Sequence, residues 1–350
     1  MTATPRHVRA LVVGGGQAGL AASFYLRRSG VDHVVLDEQE SPGGAWLHTW
    51  ESLRLFSPAA YSSLPGWQMP TVKGYPNAPH VVDYLARYEA RYDLPVRRGQ
   101  KVEAVAQQDS GYLVRTSQGT WEAEVVLNAT GTWSRPFIPA YPGSSTYAGR
   151  QVHSAHYRSP QPYAGQRVVV VGGGNSGAQI AADLTGHADV TWCTAGEPRF
   201  LPDDVDGREL FRVATLRARG IGGGVGGLGD IVAVAPVRAA RDAGLLRRTP
   251  MFERFTPQGV TWSDGTTREV DAVIWCTGFR PQLSHLAPLR LPREDGLPST
   301  DGPVAATLPT MGFVGYGDWC GLASATLIGV GRWAKQAVHR VLTYHPHTTA

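Results

Sequence analysis

Two short glycine runs carry the most legible chemistry of the chain. Gly14-Gly15-Gly16-Gln17-Ala18-Gly19 and Gly172-Gly173-Gly174-Asn175-Ser176-Gly177 both spell GxGxxG. A dinucleotide's pyrophosphate brings two negative charges against the backbone. The first glycine (Gly14, Gly172) makes the tight turn, and the second (Gly16, Gly174) lets the phosphates approach without a Cβ in the way. The third (Gly19, Gly177) lets the following helix pack on the preceding strand. The helix N-terminus then offers free N–H groups and the positive end of its dipole. Asp37 follows the first turn at the distance where a carboxylate accepts hydrogen bonds from ribose hydroxyls. After the second turn the chain reads Thr194-Ala195-Gly196-Glu197, with no acid matching Asp37 and no arginine to clamp a 2′-phosphate. Charge alone therefore predicts weak discrimination between NADH and NADPH, or a lean to NADH. Arg199 is near enough in sequence to leave NADPH open.

The elements that must position these residues are readable around each run. Residues 8–13 form a β-branched stretch fit for a buried strand, 20–28 have helical character closed by Gly30, and 34–36 make a second buried strand ending on Asp37. The same order recurs with a strand over 168–171, a helix opening at 178–184 and a strand over 190–194. Each copy has a late companion strand, 125–129 running into Thr130-Gly131 and 272–276 running into Thr277-Gly278. Hairpin patterns flank Ser117-Gln118-Gly119 and Ser263-Asp264-Gly265. Residues 322–342 read as a long closing helix. Residues 220–229, nearly all glycine and small apolar side chains, read as a mobile loop or lid. Two dinucleotide sites on one chain imply an electron relay in which one cofactor is retained, most simply FAD, and the other comes and goes.

Composition narrows the alternatives. At 350 residues the chain is long enough for two domains. Forty-two glycines make close backbone approach a theme. The three cysteines, Cys193, Cys276 and Cys320, form no CxxC, which argues against a dithiol redox centre, a zinc finger and a disulfide scaffold. A formal net charge of +4 is spread over single or paired basic residues, so no nucleic-acid face is expected. With no leader-like or membrane-spanning stretch, a cytoplasmic location is expected. His153 and His156 lack a third ligand nearby. The Asp203-Asp204-Val205-Asp206 run has Thr215 where a calcium loop needs glutamate, so no metal is expected.

Further segments resemble the flavin-containing monooxygenases and the related Baeyer–Villiger enzymes, the class B flavoprotein monooxygenases. Gly43-Gly44-Ala45-Trp46 follows the first acid. Residues 147–157 fit the fingerprint FxGxxxHxxx(F/Y), with Tyr147 for the first phenylalanine, His153 at the histidine and Tyr157 at the end. Residues 172–180 (GGGNSGAQI), 203–208 (DDVDGR), 273–281 (VIWCTGFRP), 284–286 (SHL) and 315–330 are similar in particular to small bacterial members that accept NADH as well as NADPH. The resemblance spans essentially the whole chain. It implies that NAD(P)H reduces FAD, that reduced flavin and O2 form a C4a-(hydro)peroxyflavin, and that a small thioether, ketone or amine is oxygenated. Two departures matter. Tyr157 stands where Baeyer–Villiger enzymes usually carry tryptophan, and Phe56 stands where an asparagine usually steadies the oxygenated flavin, which implies leakage of hydrogen peroxide.

The expected architecture is α/β with two Rossmann-like domains. The FAD-binding domain comprises 1–158 and 282–350, and the NAD(P)-binding domain is inserted as 159–281. The expected FAD contacts are Gly14, Gly16, Gln17, Ala18, Gly19, Asp37, Glu38, Gly44, Ala45, Trp46, Val102, Thr130, Gly131 and Asp318. Those to NAD(P) are Gly172, Gly174, Asn175, Ser176, Gly177, Ala195, Gly196, Thr277 and Gly278. Phe56, as a flavin-face position, Tyr157 and His153 are the candidate catalytic positions, with His153 also fit to fix the junction between the domains. A homodimer is open. Two other functions compete: an NAD(P)H-dependent flavin reductase or oxidase that releases hydrogen peroxide, and a catalytically silent nucleotide-binding protein.

Overall fold

In the computed structural model, residues 5–209, 212 and 231–344 are described. The glycine-rich stretch 220–229, expected to be a lid, lies outside them. The first glycine turn connects β1 (Arg6–Val13) to α1 (Gln17–Arg28), which leads to β2 (His33–Leu36). The apolar side chains of β1 and β2 are almost all buried, as expected of strands covered on both faces. Ser29 and the left-handed Gly30 end α1. An unforeseen helix, α2 (Ala78–Arg91), follows. Its signal was present: Asn77 caps His80 N–H, a proline sits in the first turn, and Val81, Tyr84, Leu85 and Tyr88 recur on one buried face.

Beyond it run β3 (Val96–Arg97), β4 (Val102–Gln108), β5 (Gly111–Thr116) and β6 (Gly119–Asn128). β6 lies parallel to β1 along Trp121–Asn128, while its first half pairs antiparallel with β5. Strand Met311–Phe313, late in the chain, adds parallel to the end of β6. The sheet therefore joins two distant parts of the chain, in the order Met311–Phe313, β6, β1, β2, β3. The closing helix begins at Leu327 rather than 322. Gly321 and Ala323 adopt positive φ, and Thr326 then caps Gly329 N–H. That helix and α1 share one apolar core, with Leu20, Ala21 and Phe24 in the same cluster as Val330, Ala334 and Val338.

The second sheet is fully parallel. β7 (Arg150–His153), β8 (Arg167–Val171), β9 (Asp189–Thr194), β10 (Arg248–Pro250) and Ala272–Trp275 are ordered β10, β9, β8, Ala272–Trp275, β7. α3 (Asn175–Leu184) follows β8. The expected boundary between the domains falls after residue 158. β7 lies before it, yet hydrogen-bonds along Ala272–Trp275 as an edge strand of the second sheet. Beside it the three-stranded antiparallel sheet Arg254–Thr256, Gly259–Thr261 and Thr267–Glu269 includes the hairpin anticipated at Asp264-Gly265.

Candidate functional site

The two glycine turns have closely matched geometry. A Cβ on Gly14 would lie 2.5 Å from the carbonyl oxygen of Ala129, and one on Gly172 would lie 2.4 Å from that of Cys276. Each turn is thus pressed against the end of its companion strand. A Cβ on Gly19 would stand 1.8 Å from Gly14 O, and one on Gly177 2.0 Å from Gly172 O. Contacts that short leave no room for any side chain. By contrast a Cβ on Gly16 would meet only Gly44 Cα, at 3.8 Å, and one on Gly174 meets nothing within 4 Å, so neither middle glycine is pressed by a neighbour. The helix starts match too. α1 and α3 begin after glycine N-caps with no side-chain cap and no acid in the first turn. α2 and the closing helix are capped by Asn77 and Thr326. Uncapped N–H groups above an open glycine are a fit for the phosphates of a dinucleotide.

Above the first turn lies a cavity of about 560 Å³, within the range of cofactor sites. Of the residues expected to hold FAD, it gathers Gly14, Gly16, Gln17, Ala18, Asp37, Glu38, Gly44, Ala45, Trp46, Val102, Thr130 and Gly131. Gly19 lies beneath the turn instead. Asp318 is not among the lining residues; its carboxylate accepts from Ala323 N–H at 3.2 Å within its own loop. Gln17 ties three segments together: its Nε2 donates to Ala325 O at 2.7 Å and its Oε1 accepts from Trp46 Nε1 at 3.0 Å. Trp46 is thereby fixed against the start of α1.

Asp37 is set by partners the sequence did not reveal. Arg98 bridges it to Glu89, and the three side chains are 6%, 17% and 19% exposed in the order Asp37, Arg98, Glu89. Burial raises the Asp37 carboxyl above the ordinary range, against the pull of the Arg98 guanidinium; the same opposition holds at Glu89. The link is made by β3, where Leu36 pairs with Arg97 and Asp37 N–H bonds Arg97 O. Other unforeseen residues around the cavity include Lys101, Arg158, Gln282 and His285. His285 Nε2 meets Asn128 Oδ1 at 2.8 Å, and burial lowers its pKa to about 4, so this ring is neutral.

None of the three candidate catalytic side chains lines this cavity. His153 is 1% exposed. Its Nδ1 accepts from Ala155 N–H at 3.1 Å and its Nε2 donates to Gly278 O at 2.9 Å. With Nδ1 accepting and Nε2 donating, the ring has no free lone pair to take a proton, and burial lowers its pKa. It braces the second sheet's end and packs edge-on against Phe279, which does line the cavity. Tyr157 is fully buried and donates to Asp183 Oδ2 at 2.7 Å. Its role is in the core, and Tyr157→Phe is expected to cost roughly 1 kcal/mol of stability in denaturant titration while leaving kcat unchanged. Phe56 packs with the apolar cluster of the second sheet, and its carbonyl accepts from Gly207 N–H at 2.7 Å. It fastens the 203–207 loop instead of facing the cavity. Around the second turn, Asn175 Oδ1 accepts from Val232 N–H, and Thr194 Oγ1 donates to Gly196 O. Ser176, Ala195 and Thr277 lie on the surrounding segments, with Thr277 Oγ1 bonded to Phe137 O. Among the described residues no group of three His, Cys, Asp or Glu could hold a metal ion, and no helix is long and apolar enough to cross a membrane.

The pyridine nucleotide-disulphide oxidoreductase family matches residues 11–206. A flavin-containing monooxygenase from Stenotrophomonas maltophilia is 50% identical, with a TM-score of 0.90 over 97% of this chain and 99% of that one. An uncharacterized CzcO-like oxidoreductase of Geobacillus kaustophilus is 28% identical over 345 residues, covering 96% of this chain and 99% of the relative. Indole-3-pyruvate monooxygenase YUCCA1 of Oryza sativa is 28% identical over 313 residues, covering 78% of this chain and 77% of that protein.

Proposed function

Because the chain belongs to the pyridine nucleotide-disulphide oxidoreductase family and, within it, to the flavin-containing monooxygenases, we propose that it oxygenates small thioethers first and ketones second, with NADH as the preferred electron donor. It is an FAD-dependent monooxygenase that takes a small-molecule substrate and O2. The observation that carries the two-nucleotide reading is the doubled turn: an unpressed middle glycine beneath an uncapped helix, found once under the cavity and once in the second sheet.

Bound there, FAD would supply the acceptor for the nicotinamide's hydride and the group that activates dioxygen, with one oxygen atom going to substrate and the other to water. The chain's own part is binding, orientation and exclusion of water. Gly14, Gly16 and the first N–H groups of α1 would hold the pyrophosphate of FAD, and Asp37, steadied by Arg98, would accept from its ribose. Trp46, held by Gln17, closes one wall. The equivalent second turn, with Gly172, Gly174, Asn175 and Ser176, holds the visiting nucleotide. Trp133 and Phe279 stack at 5.1 Å and 24° on the cavity wall and give it an apolar face suited to an uncharged thioether. We place the two nucleotide-binding units at roughly 1–149 with 282–344, and 150–281.

The test is aerobic turnover with NADH, a simple aryl methyl thioether and isotopically labelled dioxygen. One labelled oxygen per NADH in the sulfoxide supports the reading. Label recovered wholly in hydrogen peroxide supports the oxidase alternative.

A further inference from the structure

The second sheet carries an ion pair that bears on which nucleotide it accepts, provided that the reading of its glycine turn given above holds. Position comes first. In the first sheet Val13 stands opposite Leu36, and Asp37 is the next residue. In the second, Val171 stands opposite Cys193, and Thr194 is the next. A Cβ on Gly15 would meet the Asp37 carboxylate at 2.7 Å, and one on Gly173 would meet the Thr194 side chain at 3.4 Å. Thr194 therefore occupies the place of Asp37, where the adenosine ribose falls. Its hydroxyl is turned into its own loop, donating to Gly196 O at 2.6 Å.

The acid this loop does offer is Glu197, and it is engaged. Arg248 Nη1 donates to Glu197 Oε1 at 2.9 Å. Arg248 stands on β10, opposite Trp192 of β9. Its side chain is 27% exposed and that of Glu197 77% exposed, so the cation is anchored and the carboxylate is the freer partner. Arg248 Nε is buried without a hydrogen-bond partner among the described residues. The cation that sequence reading found missing from the loop is thus supplied by the neighbouring strand.

We infer that Glu197, by occupying Arg248, sets the preference at the ribose 2′ position and turns away a 2′-phosphate. A phosphate binds best to a guanidinium fork whose donors are free. Here it meets a fork with one donor, Nη1, already paired and a like charge beside it. A 2′-hydroxyl carries no charge and can donate to the Glu197 carboxylate. Arg248 is then a latent phosphate site, unmasked when Glu197 loses its charge.

The experiment is calorimetric titration of the flavin-loaded full chain with ADP-ribose and with 2′-phospho-ADP-ribose, which carry no nicotinamide and report binding alone. The wild type should favour ADP-ribose. Glu197→Gln should improve binding of the phosphorylated probe relative to ADP-ribose by about five- to tenfold, the scale of a partly exposed charge-assisted contact. The gain should shrink with added salt and vanish in the double variant Glu197→Gln/Arg248→Ala. An unchanged ratio of affinities in Glu197→Gln, with both probes still bound, overturns the inference and leaves the nucleotide site standing. Failure of the wild type to bind either probe overturns the reading of the second turn, and this inference with it.

Discussion

Gly177→Val is expected to abolish reduction of the flavin by NADH while the purified protein keeps its flavin. A Cβ at this position would already stand 2.0 Å from Gly172 O and 3.3 Å from Trp192 Nε1, and that nitrogen itself donates to Gly172 O at 2.8 Å. The two atoms that must separate are backbone of the turn and backbone of α3, so no side-chain rotation relieves the overlap. The start of α3 must lift from β8, and its N–H groups leave the phosphate position. Overpacking costs about 1–3 kcal/mol; with backbone on both sides of the overlap the upper end applies, and about 3 kcal/mol at the nucleotide site is a fall of ~10²-fold in the reduction rate at fixed NADH. Stopped-flow reduction measures it. Unchanged reduction by the same NADH concentration would remove the second turn from the nucleotide site. The first turn makes the companion case, since Gly19 is as tightly placed against Gly14 O; Gly19→Val is expected to yield colourless protein.

The second large effect is expected at Arg98. Two carboxylates, Asp37 and Glu89, face one guanidinium in a largely buried cluster. Arg98→Ala leaves both without a counter-charge, and removing one partner of a buried ionic cluster costs about 3 kcal/mol. The pH dependence has a definite sign. Both carboxyls are already raised above their ordinary values, chiefly by burial, and loss of Arg98 raises them further. A carboxyl whose pKa is higher folded than unfolded binds more protons in the folded state. Stability then falls as pH rises from the ordinary carboxylate range through the raised value. Arg98→Ala should therefore be closer to wild type at mildly acidic pH than at neutral pH in urea unfolding. Flavin affinity should drop with it, because Asp37 loses the partner that aims it at the ribose. Equal destabilisation at both pH values would argue that the cluster is held by packing alone.

Much of this was written locally in the chain. Each GxGxxG sits between a β-branched strand and a helix, so the turns, α1, α3 and Asp37 could be placed from consecutive residues. The Asn77 cap and the periodic Val81, Tyr84, Leu85 and Tyr88 would have disclosed α2 on the same principles. What sequence reading missed lies across strands. Arg98 reaches Asp37 only because β3 pairs with β2, and Arg248 reaches Glu197 only because β10 pairs with β9. Strand neighbours distant in sequence leave no local periodicity to read. The fingerprint residues His153 and Tyr157 were legible as a motif but not as roles. A histidine whose two nitrogens are bonded to Ala155 and Gly278 looks the same in sequence as one with a free nitrogen. Phe56 likewise could be aligned, while its contact with the 203–207 loop depends on the packing of two distant segments.

If a retained flavin above Gly14–Gly19 takes electrons from a nicotinamide held above Gly172–Gly177, one equivalent of NADH suffices to reduce it. Mixing the oxygen-free, flavin-loaded protein with one equivalent of NADH, and following the visible absorption of the flavin, tests it most directly. Complete bleaching is expected in the wild type and persistent colour in Gly177→Val. Flavin that stays oxidised in the wild type at saturating NADH and NADPH would contradict it.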